Sequence, residues 1–169
     1  SKVFTKEEFL HSMTKKRSEG YFNDSLFLIF CAEKKEEVRT LWGTETYTTK
    51  GPVTIRARVT NHQDSVTRPG TYHVDNVTII KGDDQETKKE TKNNPIKTIV
   101  FHSRDYCSIA VTGEEIEASG TLEEVTMTKG PKKGTKHHRV VLGYFTTYTN
   151  ERREQEYIKP LLKPSTKTI

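Results

Sequence analysis

The sequence predicts a mainly β protein, an eight-stranded antiparallel up-and-down barrel with a short helix at each end. Apolar or alternating segments follow one another at regular spacing through residues 26–149, and turn residues separate them. Gly43 lies inside one of these segments, where a glycine favours the bulge or bend that lets a sheet curl. Closure is the expected outcome for such strands, because a closed barrel leaves no edge exposed to aggregation.

The whole chain is predicted to form a single domain. Its 169 residues suit one core, and we divide them into a leading helix at 1–20, a barrel at 26–149 and a C-terminal helix and tail at 150–169. The hydrophobic fraction of 31% is low, and so is the mean hydropathy of -0.79. The apolar residues nevertheless stand in alternating runs, which favours a folded domain over a disordered chain.

Capping signals mark a helix at each end of the chain. Thr5 and Glu8 have the spacing of a capping box, which predicts a helix at about residues 6–16. Asn150 and the glutamates that follow it are typical of a capped helix start, and this second helix is expected to run to about Ile158, before Pro160 stops it. These two helices are available to cover an outer face of the barrel.

The stretch KTIVFHSRDYCSIAVTG at residues 97–113 is predicted to form the central hairpin. Its two apolar runs, 99–101 and 109–111, flank a polar turn, which is typical of adjacent antiparallel strands. The remaining strands are predicted at residues 26–31, 38–49, 53–60, 71–81, 115–129 and 139–149.

The clearest alternation is in VTIRARVT at residues 53–60. Every second residue from Val53 to Val59 is apolar, so these side chains should face the core. Gly51 and Pro52 precede the segment and are expected to form the turn that leads into it.

The charge of the chain is positive but mixed. Lysine and arginine outnumber aspartate and glutamate by 28 to 23, which gives a net charge of +5 at pH 7. A solvated surface of both signs is the simplest interpretation, and nucleic acid, heparin or another acidic partner is the alternative. The loop at 82–95 has no hydrophobic residue, and GPKKGTK at 130–136 is a basic hairpin loop. Few aromatic residues stand among these lysines, so no nucleic-acid partner is predicted.

Several features bear on the compartment of the protein. No apolar run approaches the roughly 18 residues of a membrane-spanning helix, so no membrane partner is predicted. The sequence opens in a polar segment rather than a signal peptide, which fits either a processed, mature chain or an intracellular one. Cys31 and Cys107 are the only cysteines and could form one disulfide. Asn23 and Asn76 begin N-glycosylation triplets, which would matter only in a secreted protein.

No motif in the sequence predicts catalysis or a cofactor. The G-x-S-x-G, P-loop, H-E-x-x-H and C-x-x-C motifs are all absent. His102, His137 and His138 could suggest a metal site, but neighbouring residues in a strand point to opposite faces, so the adjacent pair should not share an ion. Cys107 with a distant histidine could act as a nucleophile, although a buried or disulfide-bonded cysteine is the simpler interpretation. We therefore predict a non-enzymatic protein without a metal.

Charged residues within apolar faces predict a ligand site inside the barrel. Alternation places Glu45 beside Tyr47 on an inward face, and an outward, glycosylated Asn76 would turn Asp75 inward. A buried carboxylate needs a cationic partner, so we interpret Glu45 and Asp75 as anchors for a bound amine. Aromatic walls for that cation are predicted at Trp42, Tyr47, Phe101 and Tyr144.

Two alternatives to this site stay open. The opposite register would expose Glu45 and Asp75, because Trp42 competes with Tyr47 for the interior. An anionic ligand, such as a fatty acid or an eicosanoid, would instead need a cation within the barrel. Arg39 shares the face of Glu45, so it could bind that anion or simply neutralise the glutamate.

The order of parts resembles the secreted lipocalins of tick saliva. Those proteins have a leading helix, a hydrophobic strand that runs into a cysteine, as at Cys31, then eight strands and a C-terminal helix. TIVFHSRDYCSIAV resembles their strand pair in which a turn leads into a cysteine, as at Cys107. The resemblance implies a lipocalin-like barrel that sequesters histamine, serotonin or leukotrienes, and some members of the family bind host immune proteins. This chain lacks the further cysteines that bond to the counterparts of Cys31 and Cys107, and it has no tryptophan near its start.

The leading functional prediction is a secreted, non-enzymatic barrel that sequesters a small host mediator, namely a biogenic amine such as histamine or serotonin. A lipid mediator, either a leukotriene or a fatty acid, is one alternative. The other is an immune-modulating module with a plugged barrel, which would bind a host serum or immune protein through the loops at 82–95 and 130–136. Lys132, Lys133 and Lys136 would then be contact residues.

Overall fold

The computed structural model describes residues 5–8, 11, 19–28, 43–82, 89, 91–143 and 156–162. Two short 3-10 helices, Gln63–Val66 and Arg104–Tyr106, lie in loops, and residues 6–8, 11, 89 and 91–93 are helical. The described strands, in chain order, are β1 Glu19–Phe22, β2 Ser25–Leu28, β3 Glu45–Asn61, β4 Gly70–Lys81, β5 Ile96–Phe101, β6 Glu115–Met127, β7 Lys136–Leu142 and β8 Tyr157–Pro160. The protein is therefore mainly β, as the sequence predicts.

Five of these strands close into a ring. β3 pairs with β4, β4 with β5, β5 with β7, β7 with β6, and β6 returns to β3. Every pair in the ring is antiparallel except β5 and β7, which are parallel. β8 pairs with residues 116–119 of β6, and β7 pairs with residues 121–126. β1 and β2 form a separate hairpin.

The predicted eight-stranded antiparallel up-and-down order is wrong for the described strands. That order requires a second hairpin strand at residues 109–111, but this segment lies in a loop. Ile109 and Ala110 are buried, and the Ile109 N–H donates to the Tyr72 hydroxyl at 2.8 Å. The apolar run therefore belongs to a buried loop, and the second edge of β5 pairs with β7 instead.

β3 crosses the position at which the sequence predicts a turn. Gly51 and Pro52 lie within the strand, and the pairing of β3 with β6 shifts by one residue between Thr49 and Gly51. Gly51 has a φ of 126°, which a residue with a side chain rarely adopts. The bend of the sheet is thus a bulge at Gly51, and Gly43 precedes the strand instead of lying within it.

The core fills the inside of the ring. The alternation predicted for residues 53–60 is confirmed, since Val53, Ile55, Ala57 and Val59 are all buried. Large side chains from the other strands meet them: Tyr72, Ile99, Phe101, Ile116, Leu122 and Leu142. Gly70 lies directly under the Phe101 ring, where a Cβ atom would overlap that ring.

The two chain ends differ in how well they were predicted. The capping box is confirmed: the Thr5 N–H donates to Glu8 Oε2 at 2.9 Å, and the Glu8 N–H donates to Thr5 Oγ1 at 3.1 Å. The rest of that predicted helix, apart from residue 11, lies outside the described residues. The C-terminal helix is wrong at Tyr157 and Ile158, which lie in β8, because Ile158 reaches the core while the backbone pairs with β6.

Other predicted strands agree where they are described. β4 and β6 match the segments 71–81 and 115–129, and β7 begins three residues before the predicted 139. The segment 26–31 overlaps β2, which follows a turn at Asn23 and Asp24 that the sequence analysis missed. Residues 29–42 and 144–155 lie outside the described part. No helix among the described residues has the length and apolar character to cross a bilayer.

Candidate functional site

Among the residues that the structure describes, the predicted ligand-binding side chains do not meet in one cavity. Trp42, Tyr144 and Arg39 lie outside the described residues. Glu45 and Tyr47 are neighbours, since the Tyr47 hydroxyl donates to Glu45 Oε2 at 2.7 Å. The remaining two, Asp75 and Phe101, lie in different parts of the ring.

Glu45 and Tyr47 face outward from the ring. The bulge at Gly51 shifts the alternation of β3 by one residue, so Glu45 and Tyr47 lie on the face opposite to that of Val53 and Ile55. Tyr47 is 46% exposed and its hydroxyl reaches Glu45 on the same outer face. The inward orientation predicted for these two residues is therefore wrong.

Asp75 and Phe101 have separate structural roles. Asp75 is partly exposed and accepts two hydrogen bonds from Arg58, at 2.9 and 2.7 Å. The Arg58 side chain holds the pKa of Asp75 below its ordinary value. Phe101 is buried, with its ring centroid 5.3 Å from that of Tyr72 and 6.0 Å from that of Tyr106. The inward face of β4 is thus formed by Tyr72 and Val74, and the predicted inward position of Asp75 is wrong.

Arg139 organises the outer face beside Tyr47. Its guanidinium carbon lies 3.8 Å from the centroid of the Tyr47 ring, which is a cation–π contact. Its Nε and Nη2 atoms both donate to Glu123 Oε2, at 2.9 and 2.8 Å. Burial, followed by the hydrogen bond to Glu45, raises the pKa of the Tyr47 hydroxyl. Arg139 therefore fixes one face of a ring that remains nearly half exposed.

Lysines gather at the same end of the ring as Tyr47. β3 and β7 begin at this end, and β4 and β6 finish at it, because these neighbours are antiparallel. The loop after β6 contains no acidic residue, whereas the loop at 82–95 after β4 carries four acidic residues and three lysines. We call this the basic end, and its exposed lysines without a described ion-pair partner are Lys81, Lys89, Lys92, Lys97, Lys129, Lys132 and Lys133.

A buried histidine of β7 contacts the end of the loop after β4. The His138 N–H donates to the Pro95 carbonyl at 3.1 Å, and its ring Nδ1 lies 2.5 Å from the Asn94 carbonyl. A carbonyl only accepts, so Nδ1 carries the proton. Lys136, the last residue of the hairpin loop at 130–136, forms an ion pair with Glu124, with 2.9 Å between its ammonium and Oε1. This contact holds the pKa of Glu124 below its ordinary value.

The described histidines and cysteine form no metal site. No group of three His, Cys, Asp or Glu side chains in the described part of the chain could hold an ion. His138 is fully buried while His137 is half-buried, as expected for neighbours on opposite faces. Burial lowers the pKa of His137 and of His102. Cys107 is partly buried, and Cys31 lies outside the described residues, so the possible disulfide between them stays a prediction.

Sequence reasoning missed Arg139 and Glu123 as members of this site. Glu123 and Arg139 are opposed on β6 and β7, so their contact depends on strand pairing that spans 16 residues. A signal was available: opposite charges at facing positions across the hairpin loop at 130–136 predict a cross-strand ion pair. Lys136 and Glu124 give the same signal.

The comparisons with known proteins provide one distant relative. The chain is 27% identical over 158 residues to an uncharacterized protein of Methanocaldococcus jannaschii, and the match covers 94% of this chain and 40% of that protein. The chain thus spans less than half the length of this relative. No protein-family model matches the chain, and no solved structure matches it. These findings give no support to the resemblance to tick salivary lipocalins.

Proposed function

We propose, contrary to the expectation from the sequence, that the chain is a non-enzymatic binding module that holds single-stranded nucleic acid at its basic end. The observation that carries this proposal is the group of exposed lysines on the hairpin loop after β6. Lysines that replace the counterions of a phosphate backbone supply most of the affinity of non-specific nucleic-acid binding. The described lysines of the hairpin loop, Lys129, Lys132 and Lys133, have no acidic neighbour in that loop to neutralise them.

Tyr47 supports a single-stranded ligand over a duplex. Unpaired bases stack on exposed aromatic rings, whereas the bases of a duplex are already stacked on one another. Tyr47 is 46% exposed at the end where the lysines gather, and Arg139 lies 3.8 Å from its ring centroid. A ring held in place by a guanidinium loses little side-chain freedom when a base stacks on it.

The ring itself provides an argument by analogy. Five-stranded barrels of the oligonucleotide- and oligosaccharide-binding type bind chains across their second and third strands and the adjoining loops. In the ring of this protein those strands are β4 and β5, and the loop between the fourth and fifth ring strands, β6 and β7, is the hairpin loop of the basic end. A shared architecture does not assign a ligand, so the proposal depends on the lysines and Tyr47.

Fluorescence anisotropy with labelled single-stranded oligonucleotides tests the proposal. We expect binding that weakens linearly in a plot of log affinity against log salt, and weaker binding to a duplex of the same length. Lys133→Gln should reduce the slope of that plot by about 1. Lys6→Gln is the matched control, because Lys6 lies away from the basic end. Glu8 of the same helix is 4.0 Å from Lys159 of β8, and β8 pairs with residues 116–119, near the start of β6.

Two outcomes would overturn the proposal. Binding of heparin as tight as that of every oligonucleotide, with no effect of Tyr47→Ala, would identify a general polyanion surface. Capture of an acidic protein without any oligonucleotide binding would favour the protein-binding module that the sequence also suggests. Sequestration of histamine, serotonin or a lipid mediator and secretion of the chain stay predictions, and calorimetry with those ligands tests the former.

A further inference from the structure

Part of β4 has an edge that no described strand covers. β4 pairs with β3 along one edge as far as Lys81, whereas β5 covers the other edge only from Gly70 to His73. Over residues 74–81 the edge toward β5 therefore presents backbone N–H and C=O groups without a partner strand among the described residues. Such an edge is a template for one further strand.

A groove of about 620 Å³ runs along this open edge. Val77 and Ile79 pack only partly against the core, and Ile80 beside them is 39% exposed. The apolar residues that line the groove are Val74, Val77, Ile79, Pro95 and Ile96, and its polar lining residues include Thr91, Lys92 and Lys97. The groove thus combines an apolar floor with unpaired backbone.

Asn76 determines which side chains line the groove. Its φ of 50° is in the left-handed region, and the pairing of β4 with β3 is irregular at this point. Tyr72 and Val74 are buried before Asn76, whereas Val77 and Ile79 pack toward the core after it, so the alternation shifts by one residue. The segment 77–80 carries neither a proline nor a charge, the usual protections of an exposed edge.

The geometry points to an extended, acidic peptide segment of a partner protein that binds in this groove as an added strand beside β4. Charge complementarity decides the chemistry of that segment. Lys92 and Lys97 are exposed on the wall of the groove. The groove-lining carboxylate, Asp75, is already paired with Arg58 at 2.7 Å. The described rim is therefore positive, and an acidic segment fits it.

This inference does not depend on nucleic-acid binding at the basic end. The apolar floor and the open backbone edge suit a β-strand with alternating apolar side chains. A phosphate backbone neither forms a β-ladder nor gains from contact with apolar side chains. Lys92 and Lys97 belong to both surfaces, so the two ligands could compete through them. Methylation of the peptide backbone and a bulky substitution in the groove distinguish peptide binding from oligonucleotide binding.

The first test uses a labelled peptide in which valines alternate with glutamates. Fluorescence anisotropy should detect saturable binding. Alternate amides of a strand point to opposite edges, so methylation of one alternating set should abolish binding, whereas methylation of the other set should leave it unchanged. Equal binding of the two methylated peptides would overturn the proposal, because it would show that no backbone ladder forms.

The second test fills the groove. Thr78 is exposed and lines it, so Thr78→Trp should reduce the affinity for the peptide at least tenfold while leaving oligonucleotide binding unchanged. Thr60→Trp places the same ring on an exposed position of β3 and is the control. Unchanged peptide binding in Thr78→Trp would overturn the proposal. A dimer that sedimentation detects in the unsubstituted chain, and that Thr78→Trp abolishes, would assign the edge to a second copy instead.

Discussion

Arg56 and Glu117 are directly opposed on β3 and β6, and Arg56 Nε donates to Glu117 Oε2 at 2.9 Å. Glu117 is only 8% exposed, and it also accepts a hydrogen bond from the Tyr157 hydroxyl at 2.8 Å. The Lys159 ammonium lies 3.7 Å from the same carboxylate. One side chain of β6 therefore connects β3 on one side to β8 on the other.

Glu117→Gln keeps the size of this side chain and removes its charge. We expect the free energy of unfolding to fall by about 1–2 kcal/mol, because hydrogen bonds to a charged group are worth more than neutral ones and Arg56 is half-exposed to solvent. Urea denaturation measures the change. Glu115→Gln, at an exposed position of the same strand, is the control. An unchanged midpoint in Glu117→Gln would show that packing alone holds β8.

The same carboxylate should make stability depend on acid pH. Burial alone would raise the pKa of Glu117, but hydrogen bonds from Tyr157 and Arg56 and the charge of Lys159 outweigh it and hold the pKa below 4.5. The unfolded chain then binds the proton more readily, so the contribution to stability is present above about pH 4.5 and is lost as the pH falls through the lowered pKa. Denaturation midpoints measured on descending pH should fall less steeply in Glu117→Gln. If the denaturation midpoints of the two proteins fell equally steeply with pH, this assignment would be contradicted.

Tyr72 holds the loop after β5 in place. Its hydroxyl donates to the Tyr106 carbonyl at 2.9 Å and accepts from the Ile109 N–H at 2.8 Å, and burial raises its pKa to about 12. Tyr72→Phe leaves the buried Ile109 N–H without this partner, which should cost about 1–3 kcal/mol. Amide hydrogen exchange should accelerate at Ile109 more than at Ile99, which lies in β5. Uniform acceleration across the barrel would indicate a packing defect instead.

Local sequence patterns predicted the individual secondary-structure elements better than they predicted which strands pair with each other. The alternation from Val53 to Val59 reports one buried face directly, and the Thr5–Glu8 capping box depends only on residues three apart. The pairing of β5 with β7 depends instead on two segments about 40 residues apart. An apolar run such as 109–111 is compatible with a buried loop as well as with a strand, so its periodicity could not distinguish the two.

The site was harder to predict because register errors propagate. A glycine followed by a proline favours a turn, but Gly51 forms a bulge, and one extra residue moves Glu45 and Tyr47 to the opposite face. The left-handed backbone at Asn76 has the same effect on β4. Neither irregularity has a periodic signature. Charge at facing positions across a known hairpin, as for Glu123 and Arg139, was the signal available.

Gly51→Ala tests the bulge itself. No atom lies within 4 Å of the position that a Cβ would occupy, so the cost of this substitution is backbone strain at a φ of 126°. We expect the free energy of unfolding to fall by about 1–3 kcal/mol. Thr48→Ala, at an exposed position of the same strand, should change it by less than about 0.5 kcal/mol. Equal stability of the two variants would contradict the positive φ, and with it the bulge, at Gly51.

Tyr47 allows the stacking role of the basic end to be separated from its charge. Tyr47→Phe keeps the ring over Arg139 and removes the hydroxyl that donates to Glu45, so single-stranded oligonucleotide affinity should stay within about twofold. Tyr47→Ala removes the ring and should weaken binding by about 1–3 kcal/mol, roughly tenfold or more. The salt dependence should be unchanged in both variants, because neither alters a cation. Anisotropy at several salt concentrations measures both quantities, and a loss in Tyr47→Phe as large as in Tyr47→Ala would assign the effect to the hydroxyl instead of the ring.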